Sequence, residues 1–298
     1  MTDPTTELRK ALNATNGAAL IPEIVTAGIQ EYLEKKSQLY NIIPKVNWDT
    51  QFFAERARTA LGSSAAFIDD GATLPTAANS TYVKPTWEIK RVAVRGEVTG
   101  FEQSVTRNVT DVLREEIMAR SDEMVRKIES VIINGDTGSV ALEFDGFFKQ
   151  YTQAVAAGSA ALSLNLLDQL LDKPEGGAPT HLVMSRDYGR KLWSLLQAHQ
   201  GFYGGSVDVG GGFRVPTYAD TPIIRMDTGL TGSGGLTTGI LAIDTNYCVL
   251  AVNKPATYSP LAKTKDSDDF FITSYLVLAC RGATRQGAKL TGLAAAGA

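Results

Sequence analysis

Histidine and cysteine are scarce in this chain, two of each in 298 residues. Cys248 and Cys280 sit in separate apolar runs, His181 lies in a strand pattern and His199 at a helix end, so a zinc or iron centre lacks its ligands. The cysteines read as buried free thiols of a reducing compartment, with no partner nearby in sequence. A surplus of one charge is missing too: Lys+Arg 29 against Asp+Glu 32 leaves a net charge of -3. That excludes a dedicated nucleic-acid binder built on clustered cations, though not a protein that borders DNA. No apolar run approaches the roughly 18 residues of a membrane span, and no basic stretch leads into an apolar core at the N-terminus. The glycines lack phosphate-loop context, since no Gly-Lys-Ser/Thr follows them and no strand leads into a G-x-G-x-x-G that opens a helix. Ser185 lies between a strand and a helix. Its surroundings, Val183-Met184-Ser185-Arg186-Asp187, are not Gly-x-Ser-x-Gly, and helix capping is its expected role. The aromatics are dispersed and show no RNA-binding spacing. No catalytic, cofactor or metal site is therefore expected.

What the chain does have is one long amphipathic helix, Asn108 to Asn134. Leu113, Ile117, Ser121, Met124, Ile128 and Val131 form a stripe that Met118, Val125 and Ile132 widen. Glu116–Arg120, Asp122–Arg126 and Glu123–Lys127 are acid-first pairs four apart on the opposite face. Asn108 or Thr110 is the expected cap, and Asn134-Gly135 the expected left-handed stop. From Asp111 the helix would run about 36 Å at ~1.5 Å per residue, a bar across which other elements are laid.

Residues 49–100 are the second informative stretch. The chain is extended and charged from Gln51 to Ala60 (Glu55, Arg56, Arg58). It is small and polar through Gly62, Asp69, Asp70, Gly71 and Pro75, then extended again from Tyr82 to Thr99. Trp87 and Ile89 share one parity; Val92, Val94 and Val98 share the other, with Arg91 and Arg95 among them. The shift near Lys90-Arg91 predicts a bulge or strong twist. A long two-stranded hairpin with a mobile tip follows. Such a ribbon is marginally stable alone, and no second sheet is in view to cover it, so a neighbouring subunit is the natural support. The alternative is an ordinary hairpin folded on its own core.

Around these parts, residues 1–20 read as an extended arm, and Pro22 opens a helix with Ile24, Val25, Ile29 and Leu33 on its apolar face. After the long helix come turns at Asn134-Gly135-Asp136 and Asp145-Gly146. A helix over Leu162–Leu171 capped by Ser163 or Asn165, a buried strand from His181 and a helix after Ser185 mark an α/β lobe. Glycine-rich segments over 201–212 and 229–239 read as lobe loops. Strands Ile223–Met226, Ile240–Ile243, Tyr247–Val252, Phe270–Ala279 and Ala288–Leu290 follow, with a polar tip at Lys265–Asp269.

In this order the parts resemble the major capsid proteins of tailed bacteriophages, the Hong Kong-phage fold that encapsulin nanocompartments share. The resemblance covers nearly the whole chain. It implies an α+β fold with an N-terminal arm and helix (1–40), a peripheral-domain entry (41–48) and an extended loop (49–100). A peripheral domain with a spine helix (101–150), an axial domain (151–246) and peripheral return strands (247–298) complete it. Lys265–Phe270 would sit at the tip facing three-fold contacts. The implied function is a shell of hexamers and pentamers closing icosahedrally around double-stranded DNA, in the virion after assembly in the host cytoplasm. The partners would be other copies of the chain, DNA without sequence specificity, and scaffold, portal and decoration proteins. Arg56, Arg58, Asp69, Asp70, Trp87, Arg91, Arg95, Lys265, Asp268 and Asp269 are the candidate inter-subunit contacts. With no assembly domain ahead of the arm, the expectation is a mature product or a chain that needs a separate scaffold. Lys84 and Lys90 lie where some members crosslink, but nothing marks an acceptor. An encapsulin-type shell is the near alternative; a soluble α/β enzyme with an unrecognised site is the distant one.

Overall fold

The computed structural model describes residues 38–106, 111–175, 177–198, 206–208, 214–227, 235–262 and 265–295. The arm, the helix expected after Pro22, much of the glycine-rich segments and the cap candidates Asn108 and Thr110 lie outside these residues.

After a short helix, Gln38–Ile42, come β1 (Lys45–Asn47), β2 (Phe52–Ala54), β3 (Ala57–Ala60), β4 (Thr81–Val83), β5 (Thr86–Glu88) and β6 (Lys90–Thr99). Helices Gly100–Thr106, Val112–Asn134 and Phe147–Gln150 lead to β7 (Gln153–Ala156). Helix Leu164–Leu171, β8 (His181–Ser185) and helix Arg186–Ala198 follow. Then come β9 (Ser206–Asp208), β10 (Arg214–Tyr218), β11 (Thr221–Met226), β12 (Ile240–Ile243), β13 (Cys248–Pro260), β14 (Ser267–Cys280) and β15 (Ala288–Thr291).

The helix Val112–Asn134 has 23 residues, about 34 Å at ~1.5 Å per residue. Its cap is Asp111, whose carboxylate accepts from the Arg114 N–H at 3.2 Å. The stripe is buried only from Ser121 onward, through Met124, Val125, Ile128, Val131 and Ile132. Leu113 and Ile117 are half-buried, and Met118, expected to widen the stripe, is exposed. Two of the three expected pairs form, Arg120–Glu116 at 2.7 Å and Arg126–Asp122 at 3.2 Å. The third does not: Lys127 reaches Glu143 and Glu123 turns to Arg120.

The helix stop also differs from expectation. Gly135 has φ -51 and ψ 136, extended rather than left-handed. Glycine is needed there because a Cβ would lie 2.1 Å from the Phe144 carbonyl oxygen and 2.6 Å from that of Val131. Gly146 donates to the Gly135 carbonyl at 2.8 Å, and its own Cβ would stand 2.5 Å from the Val131 carbonyl. The two glycines let the returning chain touch the helix end backbone to backbone.

A four-stranded sheet in the order β1-β13-β14-β6 lies on the long helix. Val92, Val94, Phe270 and Ile272 meet Met124, Val125 and Ile128 in one core. Strand β6 pairs along its whole length with β14, so the hairpin proper ends at Ile89. The parity shift read as a bulge is the point where the chain leaves the ribbon and enters this sheet. The segment after Val252, expected as loop, continues as strand; register shifts around Lys254 accommodate Pro255, beyond the stretch where β1 pairs with β13.

A seven-stranded mixed sheet has the order β7-β15-β12-β8-β11-β10-β9. Its central strands are buried on both faces, hence their continuous apolar runs. Val183 and Leu241 join the core of the long helix. Leu182, Met184, Ile240 and Ala242 pack instead with Leu167, Leu170, Tyr188 and Leu192 of the two covering helices. Ser163 caps the first of those helices, and Ser185 accepts from the Tyr188 N–H at the start of the second, both as expected. The strand read from sequence as Ala288–Leu290 and counted with the peripheral return strands is β15, which pairs here with β7 and β12. The Asn134 side chain accepts from the Gly235 N–H at 2.7 Å, tying the end of the long helix to the entry of β12.

Candidate assembly interface

The ribbon leaves the body at Gln51 and returns at Ile89, joined there by the Ile89 N–H to Gln51 carbonyl bond at 2.9 Å. Pairs β2–β5 and then β3–β4 build it outward as two separate two-stranded sheets. Its base is well held. Phe53 is buried between Trp48, edge-on at 4.9 Å, and Trp87 at 5.8 Å. Trp87 donates its indole N–H to Gln150 Oε1 at 3.1 Å, and the same oxygen accepts from the Cys280 N–H at 3.1 Å. Gln150 thus fastens the ribbon base to β14. Further out, Arg281 pairs with Glu55 at 2.6 Å, and Arg285 donates to the Thr59 carbonyl at 3.2 Å.

Beyond Ala60 and Thr81 this support ends. Residues 61–80 form no helix or strand, and all but Gly62, Ser64 and Ser80 are exposed. Leu61, Phe67, Ile68 and Leu74 face solvent, each at 50% exposure or more. At the neck of this tip a Cβ on Gly62 would lie 2.0 Å from the Ala78 carbonyl oxygen. Only glycine permits the two legs to meet there.

The charged candidates separate into two groups. Four are satisfied within the chain. Arg95 binds Asp269 at 2.6 Å, Lys265 pairs with Glu97, and Gln103 donates to Asp268 at 2.9 Å. The Ser267 hydroxyl and the Arg95 guanidinium hold the Asp269 carboxyl below its ordinary range. Arg56 lies over the Tyr82 ring at 4.1 Å, and Trp87 is an anchor of its own ribbon. Arg58, Asp69, Asp70 and Arg91 are exposed and form no ion pair among the described residues. Asp69 and Asp70 share a tight turn in which the Ala72 N–H bonds the Asp69 carbonyl at 3.1 Å.

Sequence reasoning missed Lys254. Its Nζ lies 5.7 Å from the Tyr275 ring, on which Arg91 also converges at 5.9 Å. It missed Phe101 and Val105 as well, exposed on a short helix beside the long one; their spacing of four was the available signal. The cysteines, separate in sequence, are opposed across β13 and β14 with sulfurs 3.5 Å apart. Both are free and buried, and Tyr151 Oη lies 3.3 Å from Cys248 Sγ. Among the described residues no three His, Cys, Asp or Glu side chains gather to hold a metal ion. No described helix is long and apolar enough to cross a membrane.

Comparison with solved structures places this architecture. The SrpI encapsulin complex from Synechococcus elongatus is similar at a TM-score of 0.67 and 15% identity, over 86% of this chain and 87% of that one. Mycobacterium phage Bobi gives 0.63 and 12%, over 86% and 90%. The capsid of a native GTA particle gives 0.63 and 15%, over 86% and 90%. The fold is that of phage capsids and encapsulins. No curated protein sequence matches. The family described as SU10 major capsid protein matches residues 35–294. That span holds the long helix, both sheets and the ribbon, so the chain belongs to the SU10 major capsid protein family and its role is structural, as a subunit of a capsid.

Proposed function

We propose that this chain assembles through hexamers and pentamers into an icosahedral phage head enclosing double-stranded DNA. The observation that carries the reading is the ribbon. Its base is locked by Phe53, Trp87 and Gln150, while its tip exposes Leu61, Phe67, Ile68 and Leu74, which no described residue of its own chain buries. Such a tip is stable in water only on another surface. Interfaces repeated by symmetry then sum to a stable closed object. We assign the extended loop to 49–100 and the axial lobe to 151–246. Strand β15 is counted with the axial lobe because of its pairing. Near-neutral charge suits a wall that borders DNA without capturing it before packaging. Scaffold, portal and decoration proteins are the expected further partners, and the host cytoplasm the site of assembly.

Electron microscopy of the purified chain tests this. Closed particles with five-fold and six-fold capsomers support it. A monomer at high concentration whose ribbon resists protease overturns it. The likeness to the Synechococcus elongatus encapsulin favours a second reading, a compartment around a protein cargo. Particles from the native source decide between the two: nuclease-protected DNA inside supports the phage head, a single enclosed protein the compartment.

A further inference from the structure

Cys248 opens β13 and Cys280 closes β14, and the two face each other in the register of that strand pair. Ladder hydrogen bonds alternate along an antiparallel pair. One step beyond the cysteines, the Arg281 N–H donates to the Tyr247 carbonyl at 2.7 Å. The Cys280 N–H instead turns away to Gln150 Oε1 at 3.1 Å. Cys248 and Cys280 therefore form a pair without ladder bonds between them, the kind whose Cα atoms stand about 4.5 Å apart with side chains closest. A disulfide spans Cα separations of about 4.4–6.8 Å. The sulfurs already lie 3.5 Å apart, so small rotations about the two Cα–Cβ bonds bring them to bonding distance. The chain holds two cysteines in all, so no third thiol competes.

In the closed fold the pair is inert. Both thiols are buried, with Tyr151 Oη 3.3 Å from Cys248 Sγ. Burial pushes the Cys280 thiol well above its ordinary range, which keeps its reactive thiolate scarce. The pair nevertheless sits at the end of its two strands rather than in their middle. Residues 281–286 beyond it are turns, with Thr284 and Arg285 exposed. Strand ends open far more readily than strand centres, and parting the strands at this end bares both sulfurs.

We propose that Cys248 and Cys280 are a disulfide-forming pair, free thiols in reducing surroundings and joined once a small-molecule disulfide such as oxidised glutathione reaches them. The thiolate of one cysteine displaces half of the small disulfide, giving a mixed disulfide and one small thiol. The other cysteine then displaces the second half. The two cysteines lose two protons and two electrons, and the small disulfide gains them as two thiols. The new bond closes the β13–β14 hairpin at its open end. It also fixes the backbone that Gln150 holds, and through Gln150 the Trp87 indole at the ribbon base.

Oxidation of the full, unassembled chain tests this. The reduced protein is held with oxidised glutathione in urea just below its unfolding midpoint, where strand ends open and the subunit stays folded. Its mass should fall by about 2 Da as two hydrogens leave. The two alkylatable thiols should disappear in denaturant, and a peptide map should join Cys248 to Cys280. With urea removed, the oxidised chain should melt about 5–10 °C above the reduced one, because residues 32 apart are now tied in the unfolded chain too. Dithiothreitol should reverse the shift, and Cys280→Ser should show neither mass loss nor shift. If that variant does not fold, the mass and the map of the natural chain decide alone. Thiols that remain alkylatable, a separate glutathione adduct on each cysteine, or a joined pair that melts no higher than the reduced chain overturns the proposal. All of these outcomes leave the shell reading untouched.

Discussion

Replacing Gly135 with alanine strikes the joint at which the long helix ends. The added Cβ would lie 2.1 Å from the Phe144 carbonyl oxygen and 2.6 Å from the Val131 oxygen. Both obstacles are backbone, so no side chain can swing aside, and the chain must separate by about 1 Å to restore ordinary contact. Two hydrogen bonds at the joint depend on that closeness, Gly135 N–H to Val131 and Gly146 N–H to Gly135, both 2.8 Å. Leaving a buried backbone group unpaired costs about 1–3 kcal/mol, and loss of flexibility in the unfolded chain returns about 0.4–1 kcal/mol. The net expectation is a loss of about 2–3 kcal/mol. In urea unfolding of the unassembled subunit, followed by tryptophan fluorescence, this lowers the midpoint by about 1 M for a slope of ~2–3 kcal/mol/M. Gly138→Ala is the control, since its Cβ would meet only flexible side-chain ends in an exposed turn, the Asp136 carboxylate at 3.2 Å and Lys149 Nζ at 3.9 Å. If the two variants unfold at the same concentration, the close-approach account of this joint is wrong.

Phe53→Ala removes the ring buried between Trp48 and Trp87 and should destabilise the ribbon base by about 3 kcal/mol. Hydrogen exchange should speed up in β2 and β5 and stay unchanged in β8 and β12; uniform change would contradict the local anchoring. Asp111→Ala removes the helix cap and should lower stability by about 1 kcal/mol, read as a thermal shift, with Asp111→Asn close to the natural chain. The Asp269 carboxyl is held below its ordinary 3.8 by Ser267 and Arg95. A depressed carboxyl contributes stability above its unfolded value and loses it as pH falls through the folded value. The urea midpoint should therefore fall as pH drops below 3.8, and Asp269→Asn should flatten that limb; an identical acid limb refutes the contribution.

Local patterns were legible in the sequence because they are set locally. The long helix, the Ser163 and Ser185 caps and the buried strands at His181 and Ile240 follow from spacing and neighbours. The misreadings share a cause, a partner far along the chain. The shift at Lys90 looked like a bulge because β14, to which β6 binds, lies far away in sequence. Gly135 looked like a left-handed stop because Phe144, which crowds it, is not part of the helix. Ala288–Leu290 was recognisable as a strand, but nothing in its residues says which sheet it enters. Charge could be seen at Arg95, Asp268, Asp269 and Lys265, but not that each already has a partner in the chain. The ribbon tip was legible because small polar residues with glycine and proline leave no local source of order.

Strand β15 lies between β7 and β12, so the seven-stranded sheet has a gap until Ala288–Thr291 is in place. Those residues leave the ribosome after every other strand of the sheet has been made. A nascent chain therefore carries an open seam between β7 and β12 until that last strand is made. A chain broken before Ala288 lacks the strand that joins β7 to the rest of the sheet.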